Sequence, residues 1–381
     1  MKKSYYYGKH FIDQKDINAV KKCLFSSSIS QGNELKSLEE NVARYCGAKY
    51  CVAVSSGTAG LHMAVLSLDL PKKFNGLTTP ITYAATVNSM ILSGGKFNLI
   101  DIDKRSFNLD TNKLTKKLEN KKSSPDLIIP VHFAGQSADM EKIYSLSKKY
   151  GFKIIEDASQ AMGGLYKGKK IGSCKYSDLT VFSLHPVKTI TSGEGGLILT
   201  NNKKIYSKLL DLRMNGIRKT NKPTWEQDIY FPGLNYKISE LNCALANSQM
   251  SKIDKFVNLR KNISEFYNQN LNQNIFEFPK IMSENISAWH LYVVKIKKKI
   301  KKRTKDNFFK KLRKKNINLD VKYKPIQNFK FYKKNFKLNA CKKSEDFFNQ
   351  SFCLPIYPSL NKKDLQYICK NINQAAIEMK I

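Results

Sequence analysis

Metal-binding and redox patterns are missing from this chain. Its eight cysteines (Cys23, Cys46, Cys51, Cys174, Cys243, Cys341, Cys353, Cys369) form no Cys-x-x-Cys pair, and its five histidines are scattered. No metal site is expected, and reduced thiols are the default. No stretch approaches the roughly 18 apolar residues needed to span a bilayer, and the N-terminal MKKSYYYGKHF lacks an apolar core of signal-peptide length. These absences predict a soluble cytoplasmic protein with no membrane insertion. Acidic residues are scarce, 31 against 66 basic ones, for a formal charge of +35. That balance raises nucleic acid as a partner. Yet lysine is spread along the whole chain, asparagine and isoleucine are abundant too, and no aromatic-interleaved basic motif of the RNA-recognition type occurs. Lysine-rich composition accounts for the charge, so no nucleic-acid partner is expected. The densest run, 297–305, reads as a solvated hairpin tip between a strand and a helix. There is no internal repeat.

What is present is an alternation. Hydrophobic residues make up 41% of 381, enough for a sizeable core. Strand-like runs at 50–54, 96–101, 126–131, 152–156, 179–184 and 197–200 alternate with helical spacing at 33–46, 61–68, 138–150 and 203–214. Such βαβ spacing predicts an α/β fold, a mainly parallel sheet sandwiched by helices. Ligands of these sheets bind beyond the carboxyl ends of the strands. Gly57, His132, Asp157 and Ser183 all fall at or just after such an end. Near residue 253 the composition shifts toward lysine and asparagine. A large domain at 1–252 and a smaller C-terminal α+β domain at 253–381 follow, joined through a helix at 253–270. The smaller domain carries a strand-like run at 291–296 and a helix at 306–315.

The stretch 181–201, VFSLHPVKTITSGEGGLILTN, reads strand, turn, lysine, glycine-rich return, strand. Lys188 stands in an uncharged frame with no charge closer than Glu194, in a chain otherwise full of lysine clusters. A desolvated lysine on a constrained loop loses proton affinity and becomes a nucleophile toward a carbonyl. Asp157, at a strand end, can pair with a protonated heterocycle nitrogen. Small residues at 55–60 open a helix after a strand, the recipe for an anion site. Schiff-base lysine, acid partner, phosphate turn and a stacking aromatic such as Tyr83 are the parts that pyridoxal phosphate needs. Each part also has a plain reading: Asp157 as a cap, Tyr83 as core, Lys188 as a solvated lysine, the turn as a tight connection that binds nothing.

The pieces SSGTAGLHMAV, PITYAATVNSM, PVHFAGQSADM, IIEDASQAMGG, SDLTVFSLHPVKTITSGEGGLILTN and FPGLNYKISELNCALANSQ occur in order. Together they resemble the DegT/StrS family of nucleotide-sugar aminotransferases over nearly the whole chain. The resemblance implies the type I aminotransferase fold and pyridoxal 5′-phosphate as cofactor. It implies Lys188 as Schiff-base lysine and proton carrier, and Asp157 as partner of the pyridine nitrogen. Gln160 would contact the ring hydroxyl, Tyr83 would stack on the ring, and Gly57, Thr58 and Ser183 would bind the phosphate. Asn235 would reach the phosphate from the partner subunit of a homodimer with shared active sites. His132, His185 and Tyr323 are candidates for the substrate cleft. HPVKTIT, PVHFAGQ and LPIYPSL look most like the branch that aminates UDP-2-acetamido-2,6-dideoxy-β-L-arabino-hex-4-ulose, with L-glutamate as donor, on the way to pseudaminic acid. The alternative is another NDP-4-keto-6-deoxy sugar of surface polysaccharide synthesis. Dehydratases of the family replace the lysine by histidine, and Lys188 argues against that activity. Many relatives carry His-Tyr-x-Pro-x-His where this chain has Lys322-Tyr323-Lys324-Pro325-Ile326-Gln327. Both histidines are replaced, which puts substrate contacts from that loop in question.

Overall fold

The computed structural model describes residues 3–120, 124–218 and 223–381. Its central sheet holds seven strands: β1 (Tyr50–Val54), β2 (Asn75–Thr78), β3 (Lys96–Leu99), β4 (Leu127–Ile129), β5 (Lys153–Asp157), β6 (Leu179–Ser183) and β7 (Gly196–Thr200). Their spatial order is β1-β7-β6-β5-β4-β2-β3. All neighbours are parallel except β7, which runs antiparallel to β1 and β6. The reason is the connection. Only residues 184–195 separate β6 from β7, with no crossover helix, so the chain returns alongside itself.

Alternation along each strand distributes side chains to two cores. Val52, Val54, Ile129, Val181 and Ile198 face one way, onto α3 (Gly57–Ser67), α4 (Ala84–Leu92) and α7 (Lys203–Arg213). Cys51, Ala53, Phe182 and Leu197 face the other way, onto α2 (Asn33–Cys46) and α8 (Glu240–Met250). On that same face Ile128 and Ile154 meet α5 (Thr111–Glu119) and α6 (Met140–Tyr150). α1 (Gln14–Leu24) packs on α8 and is tied to it by Lys252, whose amine lies 2.7 Å from buried Asp16. The sheet is therefore covered on both faces, which explains its near-continuous apolar strands.

A second core lies toward the C-terminus. It joins the three-stranded antiparallel sheet of β8 (Phe276–Glu277), β9 (Tyr292–Ile296) and β10 (Ser351–Leu354) to α10 (Lys302–Arg313) and the C-terminal helix Lys362–Glu378. α9 (Ile253–Asn270) bridges the cores: Ile253 and Phe256 pack in the large one, Ile263 and Tyr267 in the small one. Two segments cross the expected division at 252/253. Tyr5 packs in the small core, while Ile326, Tyr332 and Cys341 pack in the large one.

Several local readings need correction. α3 begins at Gly57, not at 61, because Ser56 caps it by accepting from the Ala59 N–H at 3.1 Å. α10 begins at Lys302, so the 297–305 run is not a mere solvated tip. Lys305 is buried and its amine donates to the Phe348 carbonyl at 2.6 Å. All eight cysteines are buried and unbridged. Among the described residues no helix is long and apolar enough to cross a membrane.

Candidate active site

The carboxyl ends of β1, β5 and β6 open on one cavity of about 270 Å³. Its walls include Lys188, Asp157, Gln160, Gly57, Thr58, Ser183, Tyr83, His185 and Tyr323, nine of the residues singled out from sequence. The lysine loop is fixed from within. The Lys188 N–H donates to the His185 carbonyl at 2.9 Å, and the Thr191 hydroxyl and Ser192 N–H both donate to the Leu184 carbonyl. It is fixed from outside by Arg260 on α9. That buried guanidinium donates to the carbonyls of Lys188 at 3.3 Å and Ile356 at 2.7 Å. Burial lowers the Lys188 amine from its ordinary range to about 8; Lys322 pushes the same way, while Asp157 and Glu194 oppose it. A neutral amine is thus within easy reach near neutrality.

Asp157 ends β5 and is held on both oxygens. Oδ2 accepts from the Thr86 hydroxyl at 2.6 Å, which in turn meets Thr82 at 2.6 Å, and Oδ1 accepts from the Ser159 N–H at 3.2 Å. Gln160 accepts from the Ala134 N–H at 2.7 Å and donates to the Tyr323 hydroxyl at 2.9 Å, tying two segments of the chain together beside the cavity. At the other end, Gly57 leaves space that a side chain would fill: a Cβ there would lie 2.8 Å from the Ser183 Cβ. Gly196 is equally constrained, since its Cβ would meet the Ser56 carbonyl oxygen at 2.3 Å. Ser56 takes the Ala59 and Gly60 N–H groups at the N-terminus of α3, which leaves those of Gly57 and Thr58 for an anion. Tyr83 is 63% exposed at the cavity wall, so it is not core.

Two expected residues stand elsewhere. His132 does not line the cavity. It is fully buried, with Nε2 2.6 Å from Glu156 and Nδ1 accepting from the Ala138 N–H. Asn235 is exposed and its backbone bridges to Met214, away from this chain's cavity. His185 lies on the rim, 3.9 Å from Glu194, and burial lowers its pKa. The cavity also contains residues that sequence reading missed: Tyr7, His290 and Lys322. Thr86 escaped as well, although its spacing of four from Thr82 on a helical start was a usable signal. His290 is buried with Nδ1 unpartnered, and burial with surrounding cations keeps it uncharged. Nothing local marks it in AWHLYV. Lys322 was visible only as a departure from a motif.

A lysine of lowered pKa and a hydrogen-bonded carboxylate across one cavity, with a close-packed helix N-terminus beside them, fit pyridoxal 5′-phosphate at its aldehyde, ring nitrogen and phosphate. On this α/β sheet they define an aminotransferase-type pyridoxal-phosphate enzyme. Residues 10–373 match the model of the DegT/DnrJ/EryC1/StrS aminotransferase family, and the chain belongs to that family. It is a pyridoxal-phosphate-dependent sugar transaminase. A Campylobacter jejuni protein (serotype O:23/36, strain 81-176) named UDP-4-amino-4,6-dideoxy-N-acetyl-beta-L-altrosamine transaminase is 36% identical over 363 residues, covering 95% of each chain. Helicobacter pylori PseC, an aminotransferase of pseudaminic acid biosynthesis, superposes with a TM-score of 0.92 at 28% identity over 99% of this chain and 100% of that one. Spr1654 of Streptococcus pneumoniae in its PLP form has the same fold, with a TM-score of 0.89 at 23% identity over 99% of this chain and 100% of that one.

Proposed function

We propose that this enzyme moves the amino group of L-glutamate to C4 of a UDP-4-keto-6-deoxy-N-acetylhexosamine, namely UDP-2-acetamido-2,6-dideoxy-β-L-arabino-hex-4-ulose, in pseudaminic acid biosynthesis. The observation that carries the reading is the Lys188 amine, lowered to about 8, sharing one cavity with Asp157 and the Gly57–Ser183 approach. The similarity to proteins named for this altrosamine transamination supports the choice of sugar. When bound, pyridoxal phosphate supplies the electron sink that lets a carbon beside nitrogen release its proton. Lys188 would hold the cofactor's aldehyde carbon, and its amine would carry the proton at the donor Cα and at sugar C4. Asp157 holds the proton on the pyridine nitrogen, and Thr86 and the Ser159 N–H keep the carboxylate in place. Gln160 would hold the ring hydroxyl, Tyr83 would pack on the ring, and Gly57, Thr58 and Ser183 would hold the phosphate. His185 and Tyr323 border the substrate.

The reading includes a cytoplasmic homodimer in which Asn235 of each subunit reaches the other's phosphate site. In its support, Asn235 follows an exposed stretch with large apolar side chains, Trp225, Ile229 and Tyr230. A panel of UDP-, GDP- and dTDP-4-keto sugars offered with glutamate, with 2-oxoglutarate as readout, tests the substrate. Turnover confined to a GDP- or dTDP-linked sugar would replace the pseudaminic-acid assignment by the alternative.

A further inference from the structure

Lys322 is where this chain departs from the His-Tyr-x-Pro-x-His pattern, and the structure puts it in the cavity wall. Its ammonium lies 2.7 Å from Asp320 and over the Tyr7 ring, 4.5 Å from the centroid. The side chain is 21% exposed, so the charge is held in place and does not sweep through solvent. Burial opposes the charge, but the hydrogen bond to Asp320 and the fields of Tyr7 and Asp320 outweigh it and raise the pKa. Asp320 and the Tyr7 hydroxyl take two of the three ammonium N–H directions and leave one for a further acceptor.

The other ionisable groups on the wall have employment or the wrong sign: the Glu194 carboxylate, 3.9 Å from His185, cannot attract an anion. Lys188 is committed to the cofactor, and Asp157 is turned to Thr86 and Ser159. His185 and His290 both have lowered pKa values, so neither supplies a cation at neutral pH. Lys322 is then the fixed positive charge that a substrate anion meets on the described wall. Its place says which anion. It adjoins Tyr323, whose hydroxyl accepts from Gln160, three residues beyond Asp157, and its field lowers the Lys188 pKa. That is the reacting end of the cavity. The α-carboxylate of an amino-acid donor is bonded directly to the carbon that must lose its proton. The nearest phosphate of a nucleotide sugar is separated from C4 by the pyranose ring and the glycosidic oxygen.

We propose that Lys322 binds the α-carboxylate of the amino donor and so sets donor specificity at this site. The inference rests on the reading of glutamate as donor, and the test separates the two. A charge-assisted hydrogen bond of this kind corresponds to about 10- to 100-fold in affinity. Lys322→Met should raise the glutamate concentration that half-saturates conversion of the pyridoxal form by that factor. Lys322→Arg, which keeps the charge, should stay within a few-fold of the parent. Calorimetry of 2-oxoglutarate binding to the pyridoxal form, where no transfer occurs, should show the same loss. Reaction with 4-aminobutyrate, which lacks an α-carboxylate, and the nucleotide-sugar half-reaction should change only by the few-fold that losing the Lys322 field at Lys188 brings, well short of the loss with glutamate. If the parent enzyme ignores glutamate, the donor reading fails. If the parent reacts and Lys322→Met reacts equally well, or if only the sugar half-reaction falls, the role of Lys322 is refuted. A parallel loss in all arms also refutes it, as structural damage. Lys322→Gln substitutes where Lys322→Met does not load cofactor.

Discussion

Lys188 should cost this protein stability when the cofactor is removed. Its amine is lowered from 10.5 to about 8, chiefly by burial. Each pKa unit is worth about 1.36 kcal/mol, so the burial of a charged amine corresponds to about 3 kcal/mol. The sign follows from proton linkage. Between pH 8 and pH 10.5 the unfolded chain holds more protons on this residue than the folded one, so its penalty fades as pH rises through that window. Below about pH 8 the penalty is present in full. Lys188→Met keeps the apolar stem and removes the charge. In cofactor-free protein at pH 7 the variant should therefore be more stable than the parent, by up to about 3 kcal/mol. Near pH 10.5 the difference should approach zero. Urea unfolding of both apoproteins across that range measures it. A variant less stable at pH 7, or a difference that does not vary with pH, would show that Lys188 is solvated and the burial argument wrong.

Other substitutions separate the roles. Gly57→Ala places a Cβ 2.8 Å from the Ser183 Cβ. Overpacking of this kind costs about 1–3 kcal/mol, so pyridoxal-phosphate affinity should fall by about 10-fold or more in an absorbance titration. Thr86→Val removes the 2.6 Å donor to Asp157. A hydrogen bond to a charged group is worth about 1.5–3 kcal/mol, and the loss should appear as weaker cofactor retention on dialysis and a lower denaturation midpoint. His132→Leu strips the Glu156 carboxylate of one buried donor, leaving those of Ser177 and Thr180, and should cost about 1.5–3 kcal/mol in unfolding experiments, with KM for both substrates unchanged in the protein that folds.

Six of the seven strands of the sheet and the lysine loop were legible because their signals are local; β2 (Asn75–Thr78), a four-residue run with a glycine in it, was not. β1 and α2 follow from short patterns, and the strand-to-helix turn at 55–57 is written in small residues. α5 and the C-terminal helix Lys362–Glu378 were not, although Asn361 and Asp364 form a capping box at the start of the latter. Lysines and asparagines on their outer faces blur the apolar period. The misplacement of His132 has a sharper cause. A strand end tells which edge of the sheet a residue occupies, but strand alternation decides whether it points into the cavity. Val131 and Asp157 are bridged and both line the cavity, whereas their neighbours His132 and Glu156 pair with each other behind it. Arg260, His290 and Lys322 come from distant segments, and only the packing of the second core on the first brings them to the lysine loop.

Borohydride reduction of the holoenzyme, followed by peptide mass mapping, tests the assignment of Lys188 most directly. The reduced cofactor should be found on the peptide containing Lys188, and Lys188→Ala should yield no covalent adduct and no turnover. An adduct on another lysine, or one that persists in Lys188→Ala, would contradict the assignment.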